Sequence, residues 1–272
     1  MTAKEITSKL KSIGEENGPA QLKVLQSFFK TGKGQYGEGD IFYGVKVPQT
    51  RELLKQCGDV PKKEIVSLLE SPIHECRLFA LLYLSKEMQD GMDADADTDT
   101  DVDTGANADE IFSTRTKLMR SAKLHADEIF SIYTSHFNNI NNWDLVDLSA
   151  PNITGAYIFH HFVKKSLLKK WALSNHLWTQ RIAILSTFYF IKNGSTIETF
   201  EISKILLNHP HDLIQKAVGW MLREVGKRVS HEKEIEFLLD NNRYKTMPRT
   251  MLRYAIERFP EAQKQAFLRG TI

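Results

Sequence analysis

The chain has 272 residues, with 36 Lys and Arg, 34 Asp and Glu and nine His. Its 42% apolar and 26% charged residues suit one domain or repeat array with a sizeable core, and no apolar run reaches the ~18 residues of a membrane span. Two cysteines, Cys57 and Cys76, exclude a disulfide scaffold and a four-cysteine zinc site, and the Lys- and Glu-rich residues 1–16 carry no signal-peptide core.

In chain order, apolar residues recur at three- and four-residue spacing over 19–29, 61–70, 74–88, 124–137, 178–192, 197–207, 211–227, 232–240 and 248–258. Pro48, Pro61, Pro248 and Ser230, with Glu234 behind it, mark helix starts. Hairpin-bounded alternation is missing, so the pattern predicts an all-α bundle or solenoid, expected as a single domain over 1–272. The glycines of 32–37 match GxGxxG but follow a helical segment, with no βαβ unit around them. They read as a tight loop that places Lys33 near a phosphate.

Residues 89–109, QDGMDADADTDTDVDTGANAD, hold eight aspartates and no Lys or Arg. The tract has too little apolar surface to order itself and is expected as a disordered acidic insert. A calcium loop would need Gly and Glu at positions that do not fit. Without those aspartates, 26 acidic residues face 36 basic ones, so the rest of the chain is basic and suggests an anionic partner, nucleic acid first.

A weak repeat links WTQRIAILSTFYFIK, DLIQKAVGWMLREVGK and PRTMLRYAIERF. Arg181, Lys216 and Arg253 recur at separations of 35 and 37, and Arg77 stands in a similar context. That period is close to helix-pair repeats of the HEAT class, which stack into a curved array with a concave basic face.

Three features could carry chemistry. On a helix over 211–227, Lys216, Trp220, Arg223 and Lys227 form one stripe opposite Ile214, Ala217, Val218, Met221, Leu222 and Val225. Trp220 there either caps the core edge or stacks on Arg223, or is offered to nucleic acid beside phosphate-binding cations. In NNWDLVDLSAP, Trp143 and Asp147 share a helical face, Leu145 and Leu148 point away, and Pro151 limits the helix. Asp147 either presents a carboxylate with the indole, or caps a helix or pairs with an arginine. Arg181 lies in an apolar helix, is expected to be buried, and needs a partner, either an acid such as Asp147 or a bound phosphate. The stretch 148–197 offers six Lys and Arg and no acid. Neither the histidines nor any GxSxG or HxE…PCxxC pattern builds a metal or nucleophile site.

The blocks FFKTGKGQYGEGDIFYGVKVPQTREL, NNWDLVDLSAPNITG, WTQRIAILSTFYFIKNG, HDLIQKAVGWMLREVGKR and MPRTMLRYAIERFP, in this order, resemble the AlkD family of bacterial DNA alkylation-repair glycosylases. The likeness runs from about residue 20 to 268, interrupted by the acidic tract. It implies a HEAT-like solenoid holding duplex DNA and hydrolysing the glycosidic bond of cationic N3- and N7-alkylated purines. It also implies Asp147 as catalytic carboxylate, Trp143 and Trp220 as site indoles and Arg181 as site arginine. Lys216, Arg223, Lys227, Arg249 and Arg253 are expected phosphate contacts. No metal or cofactor, no membrane, a monomer, and a bacterial cytoplasmic place on the nucleoid complete the expectation. The alternatives are the same scaffold clasping branched or damaged DNA without cutting it, and a HEAT-like protein-interaction scaffold whose tryptophans are hot spots.

Overall fold

The structure of the chain, a computed structural model, describes residues 1–97, 108–161 and 165–272, with side chains described outside 93–115 and 117–119. The fold is an all-α helical repeat, and among the described residues extended backbone pairs at an isolated parallel bridge, Ile41 with Ile73. The chain divides into two compact units, Met1–Ser149 and Ala150–Ile272.

In the first unit, α1 (Ala3–Phe28) opens on a capping box. The Glu5 N–H donates to Thr2 Oγ1 at 3.3 Å, and the Thr2 N–H donates to the Glu5 carboxylate at 2.8 Å. Gly18, at φ 77°, kinks the helix just before Pro19. The apolar spacing that starts at residue 19 therefore marks only its second half; the first half is pinned by Ile6 and Leu10 among charged neighbours. The unit continues with α2 (Val47–Gln56), α3 (Lys62–Leu69), α4 (His74–Asp97), α5 (Ala108–Ser135) and α6 (Trp143–Ser149). Helix α4 is the hub: Phe79, Ala80, Leu81 and Leu84 are fully buried, and α1, α2, α3, α5 and α6 all pack on it.

The acidic tract adjoins described helix on both sides. Gln89–Asp97 continue α4, and Ala108 and Asp109 begin α5, while residues 98–107 of that reading lie outside the described residues. Helix α5 runs along α4, His125 Nε2 bonds Glu87 at 3.2 Å, and the Gly91 backbone faces the same histidine ring.

In the second unit, Pro151 does not stop helix formation. It opens a π-helical turn, Pro151–Gly155, that leads into α7 (Ala156–His160). The Gly155 N–H reaches Ala150 O, five residues back, at 2.9 Å, as a π-turn requires, while α6 ends at Ser149, before the residue that has no N–H to donate. Then come α8 (Ser166–Ala172), α9 (Leu177–Lys192), α10 (Ile197–Leu206), α11 (Asp212–Arg228), α12 (His231–Leu239), α13 (Arg243–Thr246), α14 (Arg249–Ala255) and α15 (Glu261–Arg269). Alternate helices pack in a row: α9 on α11 and α11 on α14, with α8 on α10 beside them. That row holds the repeated basic position, Arg181, Lys216 and Arg253.

Helix α11 buries Ile214, Ala217, Val218, Met221, Leu222 and Val225 completely, on the face that periodicity assigned to the core. Each of the larger side chains contributes about 1.5–3 kcal/mol. Ser230 caps α12 as predicted, its Oγ accepting the Lys233 N–H at 3.1 Å.

Candidate functional site

Helix α6 carries the Trp143–Asp147 pair, and its placement depends on the start of α4. His74, 1% exposed, sits between two carboxylates. Its Nδ1 donates to Asp40 Oδ2 and its Nε2 to Asp144 Oδ2, each at 2.8 Å. Arg77 donates to the other oxygen of Asp40, to Asn141 Oδ1 at 3.2 Å and to Ser71 O at 2.9 Å. Beside it, Glu75 accepts the backbone N–H groups of Tyr43, Gly44 and Val45. The first turn of α4 thus ties down both the loop after α1 and the start of α6.

Burial alone would push the His74 imidazole down, but the charge and hydrogen bond of Asp144, with those of Asp40, outweigh it and hold the pKa at about 9. Burial would raise Asp40, but the hydrogen bond and charge of His74, with Arg77, hold its carboxyl below the usual range. The network is therefore two cations and two anions, neutral as a whole.

Rings form a second layer. His74 stacks on Phe42 at 4.3 Å, Phe42 on Phe29 at 5.1 Å, and Phe29 on Trp143 at 5.3 Å. Phe28 meets the Trp143 ring edge-on at 5.4 Å while remaining 59% exposed. Trp143 and Asp147 are half-buried, one helical turn apart, whereas Leu145 and Val146 are fully buried. Asp147 thus keeps solvent contact; its negative charge adds to the burial that pushes the neighbouring Tyr133 hydroxyl up. The expected opposition of faces is only partly met. Leu148 is half-exposed, and Asp144 takes the interior because His74 is there to receive it.

The second unit places the remaining residues. Arg181 is 5% exposed and donates to Leu213 O at 2.5 Å, at the first turn of α11, so a backbone carbonyl is one partner that sequence did not anticipate. Trp220 is half-buried beside Phe188, with ring centroids 6.2 Å apart, and its Nε1 donates to Glu224 at 3.2 Å. Glu224 also accepts from Arg228 at 2.7 Å. The basic stripe is therefore interleaved with acids. Lys216 pairs with Asp212 at 2.8 Å, and Arg223 pairs with Glu257 and Glu224. Lys227 and Arg253 are exposed and have no ion pair among the described residues. Two cations of the acid-free stretch are also engaged, Lys165 with Glu198 and Lys169 with Glu201 of α10. Lys33, in the first unit, is exposed in its loop, where the Gly34 N–H is taken by Glu38 at 2.6 Å.

Sequence reasoning missed Phe28, the His74 network and Glu224. The signals existed: an acidic residue directly after Trp143, a histidine opening an apolar helix, and a glutamate one turn after Trp220. Among the described residues no group of three or more His, Cys, Asp or Glu side chains could hold a metal ion, and no helix is long and apolar enough to cross a membrane.

The second unit also holds Glu234, 2% exposed, against Gly226 of α11. Burial pushes its carboxyl up to about 9, against the pull of Arg223, so it is neutral near pH 7. The unfolded chain ionises this group near 4.5, so its neutral burial costs stability progressively as pH rises from about 4.5 to 9. Glu234→Gln is expected to stabilise the protein by about 2 kcal/mol at pH 8 and hardly at all at pH 4.5, read by thermal melts at both values. His74 has the same alkaline sign for a different reason. Its bound proton stabilises the fold fully below about 6.5, and that stability is lost as pH rises through about 9. A decline above pH 8 should therefore persist in Glu234→Gln.

The described residues form an all-α helical repeat in which α6 presents an indole and a carboxylate one turn apart. Comparison with known proteins assigns the family. The profile of the family described as DNA alkylation repair enzyme matches residues 6–259, and the chain belongs to that family. Among solved structures, the chain is similar to a predicted DNA alkylation repair enzyme from Enterococcus faecalis, with a TM-score of 0.60 and 14% identity, over 90% of this chain and 97% of that one. At that identity the likeness speaks to the fold. A comparison with curated proteins found no match.

Proposed function

We propose that the chain is a monofunctional DNA glycosylase that hydrolyses the N-glycosidic bond of N3- and N7-alkylated purines in duplex DNA. The observation that carries this reading is Asp147: a half-exposed carboxylate one turn from a half-exposed indole, on a helix whose other side is tied to the core.

Alkylation at purine N3 or N7 leaves the base positively charged. When the glycosidic bond breaks, its electron pair goes to the base, which leaves neutral, and positive charge spreads over the deoxyribose. Asp147 stabilises that charge and orients the water that attacks C1′; as the C1′ hydroxyl forms, that water's second proton passes to bulk water. Trp143, with Phe28 against its edge, offers a ring face to the cationic sugar and excludes water, and Trp220 keeps the role of site indole that the family resemblance implies. Arg181 keeps the role of the site arginine with a stated means: its bond to Leu213 O fixes the first turn of the helix that carries Trp220. Neutral lesions, whose bases leave only after protonation, are expected to be poor substrates.

DNA affinity in this reading comes from cations that are not already paired. Lys227→Ala and Arg253→Ala should each weaken duplex binding and reduce the slope of log K against log salt by ~0.9. Lys216→Ala and Arg223→Ala should do less, because Asp212 and Glu257 already hold those charges. Binding isotherms at several salt concentrations separate the two pairs, and equal effects from all four would contradict this division.

The test of the activity is release of 7-methylguanine and 3-methyladenine from methylated duplex DNA by the intact chain. Tight duplex binding with no release would replace this reading by the binding-only one.

A further inference from the structure

A residue outside the proposed chemistry is placed to control it. His74 opens α4, and each of its ring nitrogens lies 2.8 Å from a carboxylate oxygen, of Asp40 on one side and Asp144 on the other. An ionised carboxylate only accepts, so both nitrogens must carry hydrogen, and the ring is an imidazolium by geometry. The side chains of all three groups are at most 4% exposed, so water does not substitute for either bond.

Two routes lead from this ring to Trp143. The first is covalent: Asp144 is the next residue, and its bond to Nε2 fixes the first turn of α6 in place. Asp144 Oδ1 is buried with no hydrogen-bond partner among the described residues, so the attraction of His74 is what compensates its charge. The second is by stacking. His74 packs on Phe42 and Phe29, at 4.3 and 5.0 Å, and the Phe29 ring is the surface on which the Trp143 indole lies, 24° from parallel. The other end of the bridge, Asp40, belongs to the loop that carries Lys33, and Arg77 shares that carboxylate.

We propose that His74 is the positioning residue of the Trp143–Asp147 helix: a doubly donating imidazolium that clamps α6 to the Lys33 loop and sets the indole and the catalytic carboxylate at a fixed place. The inference rests on the proposed role of Asp147, although the clamp itself does not. The charged groups around the ring are Asp40 from the loop, Asp144 from α6 and Arg77 from its own helix. Glu75, beside it, is occupied by the backbone N–H groups of residues 43–45.

The test uses the full chain and single-turnover release of 3-methyladenine and 7-methylguanine from methylated duplex between pH 6 and 8.5. His74→Gln puts its amide donors at one end and an acceptor oxygen at the other, so it cannot bridge carboxylates on opposite sides as the imidazolium does, and release should slow by about tenfold or more while duplex Kd changes by less than about threefold. Asp144→Asn keeps an acceptor for Nε2 but removes the charge that holds the second proton. It should release base at close to the wild-type rate at pH 6 and lose rate steadily from there upward, whereas the wild type stays flat to about pH 8. If His74→Gln does not fold, the Asp144→Asn profile decides. Nitrogen-15 NMR of the wild type at pH 7.5 should show both His74 ring nitrogens protonated. One protonated nitrogen, or an Asp144→Asn profile as flat as the wild type, overturns the proposal. Asp147→Asn run in parallel separates the two readings: full release by that variant removes the chemistry, while the NMR signature still decides the clamp.

Discussion

Asp147→Asn is expected to slow release of alkylated purine by about 100- to 1,000-fold, or roughly 2.7–4 kcal/mol of barrier, with duplex affinity nearly unchanged. The substitution keeps size and one acceptor oxygen and removes only the charge. Asp147 is half-buried, so a thermal melt of the variant beside the wild type is run to separate lost chemistry from lost fold. Asp144→Asn, three residues earlier, instead alters a buried ion network. Because the leaving purine is already charged, residual activity should fall equally for 7-methylguanine and 3-methyladenine. Single-turnover rates beside a binding isotherm check the prediction. Equal rates for variant and wild type would take Asp147 out of the mechanism.

The second large effect concerns Gly219, next to Trp220. A Cβ built there would lie 2.4 Å from Met251 O and 2.6 Å from Tyr254 Cβ. The first of these is backbone of α14, which cannot swing away as a long side chain could. Gly219→Ala must therefore separate α11 from α14, two helices of the packed row. Overpacking of this kind costs about 1–3 kcal/mol, more than the helix propensity of alanine returns. Denaturant melts should show the loss, and release should fall as well, since α11 carries Trp220. A variant as stable as the wild type would mean that the two helices adjust freely.

The same position shows what was readable beforehand. The apolar spacing of 211–227 assigned Ile214, Val218 and Met221 to the core and Trp220 to the polar side, and burial follows that division closely. Period alone suffices there, because one helix face meets one neighbour row. The spacing could not show that Lys216 and Arg223 already have acidic partners, since Glu257 lies 34 residues from Arg223. Composition likewise describes a segment in isolation: it could not show that residues 89–97 continue α4, whose neighbour is α5.

By itself, the amino-acid order determined the helical class, the buried faces, the caps at Thr2 and Ser230 being set by local chemistry, and the motif that identifies the family. Only the tertiary structure decided which aspartate of WDLVD goes inward. On a helix, Asp144 and Asp147, three residues apart, lie only about 60° from each other, and nothing local chooses between them. The choice is made by His74, 70 residues away in the chain, which pays the desolvation cost of one carboxylate and leaves the other facing solvent.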